Sequence, residues 1–215
     1  MDALAAMRTI GANRFYLPDE VPDEVIREAV EAARFAPQGG NRQPARLIFV
    51  RDAAKKRRLK ELYLPWWKAY FEAAEAGTQG LDEYSSARKA LLAADDFAEH
   101  LDRHPLIVVA CARLPDLHIT DLGLDRPSVV GGASIYPLVQ NLCLAFRTLG
   151  VATTITTLLC GSEPAVKELL EIPDDHLTAC HVAAGYPAKG FPRKLRRLPV
   201  EELAFLDSFG SPLRD

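Results

Sequence analysis

The sequence predicts an α+β domain, a sheet of about four strands flanked by helices. Three observations predict it. Windows such as 23–36 and 133–149 carry apolar residues three and four apart, which is the helical period. Short apolar runs at 46–51, 105–111, 151–159 and 176–185 read as buried strands. Proline, glycine and asparagine punctuate the chain between the two kinds of segment. At 215 residues the chain suits one domain with a real core, and 1–215 is read as that single domain.

Asp19 to Pro22 is a helix entry. Val25, Ile26, Ala29, Val30 and Ala33 then line one face of an amphipathic helix over 23–36, which Pro37 ends. Gln38-Gly39-Gly40-Asn41 is a loop with two backbone-permissive positions. Leu47-Ile48-Phe49-Val50 forms the first strand. Helical spacing returns over 53–76 through Leu59, Leu62 and Tyr63, with Pro65 as a kink or break. Gly77 to Gly80 is a break, and a helix resumes over 82–102. Leu106 to Ala110 is the second strand, and 114–130 is mostly loop. The strongest helix is 133–149, where Ile135, Leu138, Val139, Leu142, Cys143 and Phe146 sweep a wide apolar face, with Gly150 as its C-cap. The β-branched run 151–159 is the third strand. A short helix over 163–171 carries Pro164 in its first turn. The last strand is 176–185, and the tail from Leu198 is short helix, then coil. No internal repeat or low-complexity segment interrupts this order.

Composition excludes several classes of function. The chain is 48% hydrophobic and 26% charged, with net charge −3 and a pI near 6.0. No basic stripe is present, so no nucleic-acid partner is expected. Arg193, Lys194, Arg196 and Arg197 form one short basic cluster, enough for a phosphate group and too small for a duplex. Cys111, Cys143, Cys160 and Cys180 show no CxxC spacing and read as buried free thiols. The N-terminal residues lack a signal-peptide pattern, and no apolar run approaches the ~18 residues of a membrane helix. A cytoplasmic location and no membrane partner are the expectation.

A search for catalytic motifs finds no protein nucleophile. There is no GxSxG elbow, no GxxxxGK[ST] loop and no GxGxxG after a strand. The histidines carry no HExxH pattern, and no metal is expected. Asp95-Asp96 is an adjacent pair on a predicted helix, read as a solvated face because neighbouring residues point apart. A ligand-binding pattern remains. Pro37-Gln38-Gly39-Gly40-Asn41-Arg42-Gln43-Pro44 joins a helix to a strand. Its glycines let backbone amides approach a ligand, and Asn41 and Gln43 can read a heterocycle edge. Tyr63, Trp66 and Trp67, with Tyr70 and Phe71, read either as core or dimer packing or as an aromatic lid over a flat ligand. Tyr63, Trp66 and Trp67 are the candidate substrate pocket.

The ordered set of motifs resembles the nitroreductase family of flavoproteins. An arginine-bearing opening, Met7 to Phe15, precedes Val21-Pro22-Asp23-Glu24. Ala36-Pro37-Gln38-Gly39-Gly40-Asn41-Arg42-Gln43-Pro44 follows, then Pro137-Leu138-Val139-Gln140-Asn141-Leu142, Leu149-Gly150 and the threonine-rich 153–159. Ile172-Pro173, Gly185-Tyr186-Pro187 and Arg197-Leu198-Pro199 close the set, so the match spans about Arg8 to Glu202. The chain departs from the family pattern at Gly11, Ala12, Gln38 and Ala45.

The resemblance implies a nitroreductase-like α+β fold with a mostly antiparallel sheet of four or five strands. It also implies an intertwined homodimer with two FMN sites, each built from both chains. Under it, Arg14, with Arg8, would bind the FMN phosphate from the N-terminal side. Arg197, with Lys194 or Arg196, would grip it from the other, since guanidinium groups offer a planar fork of donors. Pro37, Gln38, Gly39, Gly40, Asn41 and Gln43 would line the ribityl chain and ring edge. Thr156, Thr157, Leu158 and Leu159 would lie along the ring, where an ordinary buried strand is the competing reading. The implied activity passes hydride from NADH or NADPH through the flavin to a small conjugated acceptor such as a nitroaromatic or quinone, with no catalytic side chain required. A non-catalytic flavin binder, or a specialised reaction such as reductive dehalogenation or dehydrogenation, stands as the alternative.

Overall fold

The computed structural model describes residues 1–76 and 85–213. In chain order these form α1 (Ala3–Thr9), α2 (Asp23–Ala33), β1 (Ala45–Val50), α3 (Ala53–Ala76), α4 (Ser86–Glu99), β2 (Leu106–Arg113), α5 (Tyr136–Thr148), β3 (Ala152–Thr156), α6 (Glu163–Leu170) and β4 (His176–Gly185). The strands form one sheet in the order β1-β2-β4-β3, and every pairing is antiparallel. Alternation along β2 shows how the sheet divides the core. Leu106, Val108, Ala110 and Ala112 face α2 and α5, where Ala29, Ala33, Val139, Leu142 and Phe146 are buried against them. Ile107, Val109 and Cys111 face α3, α4 and α6, meeting Leu59, Tyr63, Phe97 and Val166.

The predicted helices and strands sit close to their observed places, and β4 runs over the residues expected of it. Four differences stand out. α1 was not foreseen; Asp2 caps it by accepting from the Leu4 and Ala5 amides at 2.7 and 3.2 Å. Pro65 does not break α3, which runs through it, and Ser162 Oγ donates to the nearby Leu62 carbonyl at 3.1 Å. β3 stops at Thr156, because Thr157 leaves the extended region and the chain turns through a 3-10 helix, Leu158–Ser162, toward α6. Among the described residues, the tail from Leu198 forms only one 3-10 turn, Val200–Glu202. The expected break at Gly77 to Gly80 lies outside the described residues. Gly150 has φ +82° directly after α5, as a glycine cap requires.

Two segments far apart in sequence, 13–17 and 186–190, pair with each other. Tyr16 bridges Pro187, the Leu17 amide donates to Tyr186 O at 2.8 Å, and the Ala188 amide donates to Phe15 O at 3.0 Å. Asn13 Nδ2 donates to Gly190 O at 2.9 Å. Gly11 lies against Leu195 and Pro192, so close that a Cβ there would stand 2.9 Å from Leu195 Cδ2. The segment that holds Arg14 is thereby packed beside the basic 193–197 stretch. No helix among the described residues is long and apolar enough to cross a membrane.

Candidate active site

The end of β3 is the floor of a cavity of about 580 Å³, within the size range of small-molecule sites. Thr154, Ile155, Thr156, Thr157 and Leu158 form one side, and Arg14 borders it. Tyr63, Trp67 and Tyr70 of α3 stand opposite, and Ala87, Ala90, Leu91 and Ala94 of α4 close the far wall. The small residues recur every three or four positions along α4, which brings a narrow face to the cavity. Alanine reads from sequence as a helix former and carried no sign of this role. The Tyr63 and Trp67 rings lie nearly parallel, 8° apart, with centroids 6.4 Å apart. Burial raises the Tyr63 phenol above its ordinary pKa, and its bond to Thr156 opposes that shift.

Two further cavities take up other predicted residues. One, of about 340 Å³, is lined by Gly11, Ala12, Gln140, Thr153, Ile155 and Arg197. Ile155 borders both this cavity and the first. The other, of about 360 Å³, is lined by Pro37, Gln38 and Gly39 with His118, Thr120, Gly131 and Ser134. It shares no lining residue with the other two. The Gly39 amide donates to Ser134 Oγ at 3.1 Å, and Gln38 Oε1 is buried without a partner among the described residues. Gly40, Asn41 and Gln43 have φ of +59°, +52° and +50°, so this loop holds two non-glycine residues in the left-handed region. Asp121 organises the opposite lip. Its carboxylate accepts from Ser128 Oγ at 2.7 Å, the Val129 amide at 2.9 Å, the Val130 amide at 3.4 Å and Arg126 Nη1 at 2.8 Å.

The structure therefore sorts the predicted residues. Arg14, Tyr63, Trp67, Thr156, Thr157 and Leu158 share the first cavity. Arg197 lies next door, and Pro37, Gln38 and Gly39 stand apart. Gly40, Asn41, Gln43, Arg8, Lys194 and Arg196 are exposed and border none of the three cavities. Two predicted positions, Leu159 and Trp66, lie outside the lining of the first cavity. Leu159 is fully buried in the core beneath α3, because the chain has already turned away from the sheet edge. Trp66 points away from the cavity: its indole donates to Ser162 Oγ at 2.9 Å and covers Gly161.

The buried His104, Cys111 and Cys143 serve packing. His100 and His104 stand four apart, but His100 Nδ1 contacts the Asp96 carbonyl while His104 is buried against Phe97, ring centroids 4.5 Å apart. Among the described residues no group of three or more His, Cys, Asp or Glu could hold a metal ion. Burial pushes the thiols of Cys111 and Cys143 up to about 11, where they are poor nucleophiles.

A sequence model described as Nitroreductase family matches residues 6–186. A Thermus thermophilus protein named NADH dehydrogenase is 28% identical over 211 residues, spanning 94% of this chain and 95% of its own length. A 4-nitrobenzoate reductase from Nocardioides sp. is 27% identical over 192 residues, spanning 80% of this chain and 75% of the relative. Among solved structures, oxidized iodotyrosine deiodinase bound to FMN and 3-iodo-L-tyrosine has the same fold, with a TM-score of 0.69 at 17% identity, covering 93% of this chain and 97% of that one.

Proposed function

The chain belongs to the nitroreductase family, and on that premise we propose that it is an oxidoreductase that holds FMN and passes hydride from NADH or NADPH to a small conjugated acceptor such as a nitroaromatic or quinone. One observation carries the reading. A ring-sized, mostly apolar cavity bordered by Arg14 adjoins a second cavity bordered by Arg197, with Ile155 common to both. The donor set suits the cofactor: a flat ring needs apolar walls, and a phosphate needs guanidinium.

FMN, when bound, supplies two-electron hydride chemistry. The protein's own residues bind and orient. Thr156, Thr157 and Leu158 support the ring face. Arg14, which borders the ring-sized cavity, would supply positive charge to the cofactor, whose phosphate is the partner its sequence motif implies. Arg197 takes the phosphate, and Lys194, Arg196 and Arg8 add positive charge nearby. Tyr63 and Trp67 keep water from the acceptor position.

The reading includes a second copy of the chain. Pro37, Gln38, Gly39, Gly40, Asn41 and Gln43 lie apart from the cavity of their own chain, so in a homodimer they complete the partner's site. The orphaned Gln38 Oε1 supports this, since a buried acceptor needs a donor.

The test is a visible spectrum of the purified protein, before and after adding FMN, followed by anaerobic NADH or NADPH. A flavin spectrum that bleaches with the nicotinamide supports the function. Protein that stays colourless with added FMN overturns it, and FMN binding without nicotinamide oxidation favours the non-catalytic alternative. Pre-reduced enzyme screened against nitroarenes, quinones and haloaromatics separates general reduction from reductive dehalogenation.

A further inference from the structure

Among the described residues that wall the first cavity, α3 and α4 are joined by a polar contact behind the aromatic surface. Trp67 Nε1 donates to Asp95 Oδ1 at 2.7 Å. Lys68 Nζ reaches the same oxygen at 3.1 Å and Glu99 Oε1 at 2.5 Å. Trp67 is only 5% exposed, yet its ring lines the cavity beside Tyr63 and Tyr70. Apolar contacts alone are non-directional and leave an indole free to choose among rotamers. A bond from Nε1 to a carboxylate is directional and charge-assisted, so it fixes the ring plane. Asp95 and Asp96 divide as adjacent helix positions must. Asp96 is exposed and pairs with His100, while Asp95 turns toward α3.

We propose that Asp95 is a positioning residue for the electron acceptor: it holds the Trp67 indole against the cavity and so selects which planar aromatic molecules stack there. This rests on reading the cavity as the acceptor site. Lys68 balances the carboxylate charge from the solvent side. Arg14 is the only charged side chain among the described residues lining the cavity, so the surface that Trp67 presents takes a flat, neutral or anionic aromatic.

The test compares Asp95→Ala, Asp95→Asn, Glu99→Gln, Trp67→Phe and the Trp67→Phe/Asp95→Ala double variant in the FMN-loaded enzyme. The readouts are FMN content, the rate of flavin reduction by NADH or NADPH, and KM and kcat for a one-ring nitroarene and a two-ring quinone. Asp95→Ala is expected to raise the nitroarene KM about tenfold, the size of effect expected when a hydrogen bond to a charged group is lost. FMN content and flavin reduction should stay near wild type. Asp95→Asn keeps an acceptor for the indole and should recover most of the affinity. Glu99→Gln loosens the helix pair without touching Trp67 and should leave KM unchanged. In the Trp67→Phe background, Asp95→Ala should add nothing.

A wild-type KM in Asp95→Ala, an equal rise in Glu99→Gln, or an undiminished effect of Asp95→Ala without the indole would each overturn the proposal. If Asp95→Ala does not fold, Trp67→Phe carries the test alone, since it removes only the donor and part of the ring. Quenching of tryptophan fluorescence by the nitroarene reads the same wall without turnover. An inactive wild type with Asp95-dependent quenching would therefore sink the oxidoreductase reading and spare this one.

Discussion

The Tyr63 hydroxyl stands 3.1 Å from the Thr156 hydroxyl, joining the middle of α3 to the last residue of β3 beneath the first cavity. Tyr63 is 2% exposed, so the pair has little water to replace a lost bond. Tyr63→Phe should lower stability by about 1 kcal/mol, read as a lower urea midpoint with an unchanged slope. Thr156→Val should cost a similar amount. The double variant should cost less than the sum, because one bond is removed only once.

Asp121 should make the fold acid-sensitive at one lip of the third cavity. Its bonds to Ser128, the Val129 and Val130 amides and Arg126 hold its carboxyl well below the usual carboxylate range. A depressed carboxylate contributes stability that is complete above the unfolded value of about 4 and fades as pH falls below it. Asp121→Asn should therefore loosen the 121–132 loop at neutral pH, seen as faster proteolytic cleavage there. The variant should also show less further loss than wild type on acidification.

His104 should act in the same direction for the opposite chemical reason. Burial between Phe97 and Tyr16 pulls its imidazole down to about 4, so the folded state keeps it neutral. The unfolded value is about 6.5. Stability is full above that value and declines as pH falls toward 4, because the unfolded chain takes up the proton first. His181, buried with both ring nitrogens unpartnered among the described residues and held near 3, adds to this slope. Denaturation midpoints between pH 7 and 4 should fall more steeply for wild type than for His104→Gln.

Gly161→Ala should dislodge Trp66. The added Cβ would lie 2.4 Å from Trp66 Cε2, and the indole cannot yield without losing Ser162. The expected cost is about 1–3 kcal/mol, with a red-shifted tryptophan emission. Gly123→Ala is the control, since nothing lies within 4 Å of a Cβ there.

Arg197→Ala should weaken FMN binding about ten- to hundredfold, the loss expected for removing charged hydrogen bonds to a phosphate. Equilibrium dialysis measures it. An unchanged affinity would move the phosphate contact elsewhere.

Strand and helix cores were legible because burial imposes a period on side chains. β2 and β4 are apolar on both faces and α5 along one broad face, and each shows that pattern in its sequence. The aromatic wall was legible in part: Tyr63 and Trp67 face the cavity, while Trp66, the residue just before Trp67, turns to Ser162. No composition rule separates two adjacent tryptophans, but helical phase does. The alanine face of α4 and the inward turn of Asp95 were hidden, since small residues and acidic pairs occur on many solvated helices. The placement of Pro37–Gly39 apart from Arg14 was hidden for a different reason. It depends on the path of the whole chain and not on local propensity.

The pairing of 13–17 with 186–190 has a consequence for biosynthesis. The backbone donors and acceptors of 13–17 have no counterpart until the sequence-distant 186–190 segment has left the ribosome. This long-range pairing therefore forms after the local helices and hairpins between the two segments, and the corner beside Arg14 is completed only when both are available.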